Sequence, residues 1–304
     1  MVNNRPRESL KYWTLTEVLG VKYMLCTSDS NLEPNEVPRN YGKLFYTVLA
    51  AIFLGGCTAS EGQKGWGDDV KWPDGDRLAK AARKALLDPQ TYIPAAGALV
   101  FTIDNWDHKV SHWATERTPV FGSQKGAEDA SDYLLYPIIG ETVITALATP
   151  SGDSNEQWSA GKAKGLGVEG AAFGVTALST SVLKDTTGRE RPDRSNNQSF
   201  PSGHASGAFA GATLSNRNLD SIDMSDGLRT TLQVGNITMA SGVAWARVEG
   251  NKHFPSDVLA GAALGHFLTA FIHDAFMNLP EDGSVDMEVV PFDHGVAVCF
   301  SIRY

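Results

Sequence analysis

Between Lys184 and Asp257 the chain gathers its chemistry at three breaks in a pattern of small, helix-compatible residues. The first break is Lys184-Asp-Thr-Thr-Gly-Arg-Glu-Arg191-Pro192. The second is Pro201-Ser-Gly-His204, and the third is Arg247-Val-Glu-Gly-Asn-Lys-His253-Phe-Pro-Ser-Asp257. Together they place Lys184, Arg191, Arg247, His204, His253, Asp257 and a Gly-containing helix start within 74 positions. The background sharpens this. The chain carries 26 Lys and Arg against 35 Asp and Glu, a net charge of −9. An acidic protein is a poor nucleic-acid partner, so these cations point to a local anion site rather than a basic surface.

The 304 residues, 42% hydrophobic, suit one globular domain with extra at the ends. From Asp76, which reads as an N-cap, the pattern turns helical. Residues 89–104 are apolar and 105–117 form an amphipathic helix ending before Pro119. Residues 129–148 are apolar, and Pro137 is expected to kink or restart that helix. Residues 160–184 are rich in Gly and Ala, which lets helices approach closely. A helix over 255–277 closes the body. No stretch reaches 18 uninterrupted apolar residues, so no spanning helix is predicted. Val296, Val298, Phe300 and Ile302 then alternate with small or polar neighbours after the turn signal Asp293-His294-Gly295. That period of two predicts a small β-hairpin over 285–304. The fold class is mainly α.

Each break has its own physical logic. Lys184 and Arg191 lie two helical turns apart if the helix continued, but Gly188 breaks it, so both side chains can turn to one point. Arg191 offers a planar fork and Lys184 a point charge. Arg189 and Glu190 read as a surface pair. Pro201-Ser202-Gly203-His204 is a helix start whose unpaired amides and dipole favour an anion. Ser202 Oγ and the Gly203 amide could donate to an oxyanion, with His204 in the first turn to deliver a proton; a plain N-cap and a core histidine would look the same. Pro255 suits the first position of a helix. His253 then sits in the preceding loop, and Asp257, one turn in, can reach back to orient the imidazole. Arg247 adds a further cation.

Other polar residues carry less. A metal site from His253, Asp257 and His204 is disfavoured, because nearby cations would repel a divalent ion. His108 and His112 share a helix face and read as ordinary amphipathic-helix residues, and His266 and His273 as structural. Cys26, Cys57 and Cys299 make neither a disulfide framework nor a zinc cluster. Residues 43–57 place a lysine before an apolar run, then Leu54-Gly55-Gly56-Cys57, the layout of a secretory signal. Leu54–Cys57 resembles a bacterial lipobox, in which the Cys is acylated and becomes the mature N-terminus. Because polar sequence precedes the run, translation is expected to start near Val37. Thr58 after the Cys suggests sorting to the outer membrane.

Lys-x6-Arg-Pro, Pro-Ser-Gly-His and Arg-x5-His-x3-Asp, in this order, resemble the three-part motif of the type 2 phosphatidic acid phosphatase superfamily. That group includes bacterial class A acid phosphatases and vanadium haloperoxidases. The resemblance covers residues 184–257. It implies an acid phosphatase/haloperoxidase-like helical bundle and metal-independent hydrolysis of phosphomonoesters or diphosphates. By motif position, Lys184, Arg191, Ser202, Gly203 and Arg247 would bind phosphate. His253 would form a phosphohistidine, Asp257 would orient it and His204 would be the general acid. Ala246 stands where the family usually has Ser, which bears on phosphate affinity. The implied organisation is an extension and signal over 1–56, a tether over 57–76, a phosphatase domain over 77–280 and a hairpin tail over 281–304. The expected setting is the bacterial envelope, facing the periplasm and anchored through Cys57, without metal or cofactor, acting on a lipid phosphate or a small phosphoester. A vanadium-dependent haloperoxidase, with vanadate as cofactor instead of inhibitor, and a non-catalytic lipoprotein are the alternatives.

Overall fold

The computed structural model describes residues 65–152 and 154–277, together with the backbone of 285–292 and 295–302. The signal, Cys57 and the first part of the expected tether, through residue 64, lie outside the described residues. Eight α-helices follow one another among those described: α1 (Gly75–Leu87), α2 (Pro89–Phe101), α3 (Trp106–Arg117), α4 (Gln124–Ala148), α5 (Asn155–Thr187), α6 (Gly203–Asp220), α7 (Asp226–Glu249) and α8 (Pro255–Phe276). The backbone of Val285–Phe292 pairs antiparallel with Gly295–Ile302.

Local chemistry sets the helix ends. Asp74, rather than Asp76, caps α1 by accepting from the Arg77 amide at 2.8 Å. Asp88 caps α2 through the Gln90 amide, with Pro89 at the first position. Ser154 caps α5, and Gly188, at φ 55°, ends it in the left-handed conformation that glycine adopts without strain. Pro137 does not restart α4, which runs on through it. Ile138, Thr142 and Thr145 beside it are buried, and that packing outweighs the one hydrogen bond a proline forfeits.

Helix α8 packs against α6, α2, α5 and α1. Its contact with α6 is backbone to backbone. A Cβ at Gly261 would stand 2.6 Å from the Ser202 carbonyl oxygen, and one at Gly265 would stand 2.2 Å from that of Ser206. No side chain fits there, so the starts of α6 and α8 are pinned side by side. Ile138, Phe209, Val243 and the alanines at 208, 212, 240 and 262 fill the space between α4, α6, α7 and α8. A second cluster holds Trp66 against Val168 and Ile272. The Trp66 amide donates to the Pro150 carbonyl, so the lead-in chain is fastened to the body from Trp66 onward.

By length and composition alone, helices α5 and α8 are long and apolar enough to cross a membrane, with hydropathies of 1.4 and 1.3 over 18-residue windows. The criterion of an uninterrupted apolar run missed them because Gly, Ser and Thr interleave with the apolar residues. Such hydroxyls bond back within the helix, as Thr176 does to the Ala172 carbonyl, and so present little polarity outward. Within the body α8 is 56% buried over that window, but α5 only 28%. Exposed apolar side chains occur on several helices: Ile93 and Leu99 on α2, Tyr133 and Val143 on α4, Leu178 and Val182 on α5. Large exposed apolar side chains in such number are what a surface meeting lipid or protein carries.

Candidate active site

The three sequence breaks meet at one pole. The end of α5 supplies Lys184 and the loop after it Arg191. The start of α6 supplies Ser202, Gly203 and His204. The end of α7 supplies Arg247, and the loop into α8 supplies His253. Backbone bonds join them: the Ser202 amide donates to the Asp257 carbonyl, and the His253 amide to that of Arg247. A Cβ at Gly203 would lie 3.9 Å from Lys184 Cε, which puts the lysine beside the helix start.

Among the described residues none of the cations Lys184, Arg191 and Arg247 makes an ion pair, although Glu128, Asp132 and Asp193 act on Arg247 and Asp257 on Lys184 from a distance. Lys184 Nζ donates to the Gln198 carbonyl, and Arg247 Nη1 to Ser131 Oγ at 3.0 Å. Arg247 is buried, and its Nε and that of Arg191 are buried donors with no hydrogen-bond partner among the described residues. Arg77 and Arg217 also bury an unpaired Nε, but their other nitrogens rest on main-chain carbonyls or on Asp274. The Lys184, Arg191 and Arg247 charges repel one another. Buried donors of like charge beside a helix N-terminus, where Ser202 Oγ accepts from the Ala205 amide, form a socket for a tetrahedral oxyanion.

His253 is 1% exposed. Its Nδ1 lies 2.7 Å from the Ser199 carbonyl oxygen. A carbonyl can only accept, so Nδ1 carries the proton and Nε2 keeps its lone pair. Burial pushes the imidazole down to about 4; the nearby Lys184 and Arg247 charges add to this, and Asp257 opposes it. The ring is therefore neutral above mildly acidic pH.

Asp257 does reach His253: its Oδ2 stands 3.9 Å from Nδ1, an ion-pair contact, though wider than an ordinary hydrogen bond. In the first turn of α8 the carboxylate turns back onto the Phe254 amide at 2.8 Å. It also accepts from Ser199 Oγ at 2.5 Å and from Arg189 Nη1 at 2.7 Å. The imidazole is thus oriented by a main-chain carbonyl, and Asp257 holds the segment that presents that carbonyl. Arg189 is no surface partner of Glu190, because it bridges Asp257 and the buried Asp107.

His204 sits in the first turn of α6. Its Nε2 lies 2.8 Å from Asp132 Oδ1. Burial lowers its pKa below the ordinary histidine value, and Arg247 pushes the same way, while Asp132 works to raise it. A histidine paired with a carboxylate at the rim of an anion socket can carry a proton in or out. Residues 167–280 match the family model of the PAP2 superfamily. The PAP2 match contains all three breaks.

Relatives agree with that assignment. The chain is 41% identical over 83 residues to a lipid A 1-phosphatase of Porphyromonas gingivalis, a match covering 27% of this chain and 17% of that protein. It is 32% identical over 126 residues to a PA-phosphatase related-family protein of Dictyostelium discoideum, covering 35% of this chain and 46% of that protein. The chain therefore spans less than half the length of either curated relative. Among solved structures it resembles the first transmembrane PAP2 type phosphatidylglycerolphosphate phosphatase from Bacillus subtilis. That match has a TM-score of 0.47 and 22% identity, and covers 62% of this chain and 94% of the other.

Asp107, Asp132, Ser131, Ser199 and Arg189 belong to this pole but were not legible as site residues. Asp107 and Asp132 lie on helices with no distinguishing pattern. His108 stands edge-on to the Phe254 ring, and His112 pairs with Glu116. His266 and His273 are buried in α8.

Proposed function

We propose that this chain is a membrane-associated, metal-independent phosphatase acting on phosphorylated lipids. The observation that carries this is the pair of buried guanidinium nitrogens of Arg191 and Arg247 that have no hydrogen-bond partner among the described residues, at the same pole as the neutral imidazole of His253. In this reading Lys184, Arg191 and Arg247 hold the phosphoryl oxygens together with Ser202 Oγ and the Gly203 amide. Ser202 Oγ accepts from the Ala205 amide, so its own proton is free to donate. His253 Nε2 attacks phosphorus, the bond to the leaving oxygen breaks, and His204 gives that oxygen its proton. Water then attacks the phosphohistidine, giving its proton to His204 and releasing phosphate. Asp257 keeps the Ser199 segment in place.

The lipid part of the reading rests on the apolar exterior and on the relatives, whose names specify lipid A and phosphatidylglycerolphosphate. The apolar exterior and the lipid A 1-phosphatase relative support a socket that works on phosphate groups at a bilayer surface. Leu54–Cys57 supports a second attachment, acylation of Cys57 on the periplasmic side of a bacterial envelope, with Thr58 favouring the outer membrane. Two or more acyl chains suffice for stable anchoring. The intact mass of membrane-extracted protein reads this directly. A product that starts at Cys57 and carries acyl chains is expected, and one that retains residues 1–56 contradicts it.

The catalytic reading is tested with phosphatidate in mixed micelles and with p-nitrophenyl phosphate, in EDTA. Both are expected to turn over and to be inhibited by vanadate, which mimics the five-coordinate phosphorus. His204→Ala should lose phosphatidate hydrolysis by about 10² to 10⁴-fold. It should lose less on p-nitrophenyl phosphate, whose leaving oxygen needs no proton. Activity abolished by EDTA, or equal losses on the two substrates, would overturn the metal-independent mechanism or the acid role of His204 respectively.

A further inference from the structure

Helix α4 lies outside the three breaks, yet one face of its first turns reaches two of them. Glu128, Ser131 and Asp132 stand at i, i+3 and i+4 and so share that face. Glu128 Oε1 approaches Lys252 Nζ at 3.6 Å, and the same ammonium meets Asp193 Oδ2 at 3.1 Å. Ser131 is buried. Its Oγ accepts from Arg247 Nη1 at 3.0 Å and donates to the Glu128 carbonyl. Asp132 Oδ1 stands 2.8 Å from His204 Nε2. A Cβ at Gly250, where α7 ends, would stand 3.4 Å from the Glu128 amide nitrogen. Helix α4 is thus packed closely on the turn that leads to His253, and Asp132 is held where it meets the other histidine. The PAP2 match begins only at residue 167, so this face is no part of it.

The contact bears on which way a proton moves. A carboxylate oxygen only accepts, so Nε2 of His204 carries a hydrogen here. The charged groups facing the ring are Asp132 from α4, Arg247 from α7 and Arg191 from the loop after α5. Burial, then Arg247, then Arg191 disfavour imidazolium, and Asp132 alone among these groups favours it. A general acid must hold its proton until the leaving oxygen takes it. We propose that Asp132 is a positioning residue that fixes the His204 ring through its Nε2 hydrogen and keeps it protonated on the acid side of neutrality inside a cationic socket, ready to serve the leaving oxygen.

This rests on the assignment of His204 as general acid. Removing the Asp132 charge leaves burial, Arg247 and Arg191 unopposed, so the His204 pKa falls further. The acid works in its protonated form, and activity declines as pH rises through that pKa. The alkaline limb of the rate profile therefore moves to lower pH.

The test is the pH profile of kcat and KM for Asp132→Asn in the full-length protein, on phosphatidate and on p-nitrophenyl phosphate. It is paired with an NMR titration of ¹³C-labelled histidine, the His204 signal being the one missing from His204→Gln. The alkaline limb on phosphatidate and the His204 signal should both move down by about one pH unit. Above the limb, phosphatidate hydrolysis should fall by about tenfold, following the protonated fraction. The loss on p-nitrophenyl phosphate should be smaller, and KM should hardly change. Asp132→Glu, which keeps the charge, should restore most of the limb. Glu128→Gln removes a charge from the same face without touching the ring, and should move the signal less. A limb and signal left in place by Asp132→Asn, or moved equally by Glu128→Gln, would overturn the proposal. So would equal losses on the two substrates with the signal unmoved, which would reduce Asp132 to a structural role. If the parent protein shows no phosphatase activity, the functional reading fails, while the titration still decides whether Asp132 holds the proton on His204.

Discussion

Replacing His253 with alanine is expected to lower kcat by at least about 10⁴-fold, the scale seen when the nucleophile of a covalent mechanism is removed. No phosphoenzyme should form. The fold should survive, because the side chain makes one hydrogen bond, to a carbonyl that water can reach once the ring is gone. The cost in stability is about 1 to 3 kcal/mol, from a lost hydrogen bond and a small cavity. Steady-state rates, with circular dichroism as the check on folding, read this out. An undiminished rate in a folded variant would remove His253 from the nucleophile position.

Arg247→Ala carries the next largest effect. The guanidinium is buried, donates from Nη1 to Ser131 Oγ and has no partner for Nε among the described residues. A buried, already placed donor is the kind that contributes most to a developing charge. Its loss should cut kcat/KM by about 10² to 10³-fold. Vanadate inhibition should weaken in parallel, because the same nitrogens hold both anions. Arg247→Lys should recover little, since an ammonium cannot reproduce the planar fork. A loss below tenfold, or unchanged vanadate inhibition, would show that Arg247 lies outside the phosphate socket.

What could be read in the sequence follows from where the information is local. Gly188, the Ser202 cap and Pro255 are helix-end signals that act on their immediate neighbours. They therefore placed Lys184, Arg191, His204 and His253 on the right side of each break. The role of Asp257 was read from its spacing to His253 and from the motif resemblance. Spacing brought it near His253 but could not say that the Phe254 amide, Ser199 and Arg189 compete for its oxygens. Arg189 was misassigned for the same reason. Its partners Asp107 and Asp257 are brought to it by the tertiary fold, whereas Glu190 is merely adjacent in sequence. Asp132 beside His204 left no local trace at all.

The apolar exterior was hidden by the rule used to look for it. Gly167, Gly170 and Gly174 interrupt the apolar run of α5 without making its surface polar, and a Cβ at any of them would meet nothing within 4 Å. Pro137 was overestimated as a breaker, because packing around Ile138 holds α4 together across it. In each case a single-residue rule met a helix whose packing decided the outcome.

The central claim is that phosphate passes through His253, and the most direct measurement is rapid acid-free quench of the protein with ³²P-labelled substrate, followed by peptide mapping. The account predicts one labelled peptide containing His253, stable in base and labile in acid, that forms faster than phosphate is released and is absent from His253→Ala. Label on any other residue, or full turnover with no labelled protein at any time, would contradict it.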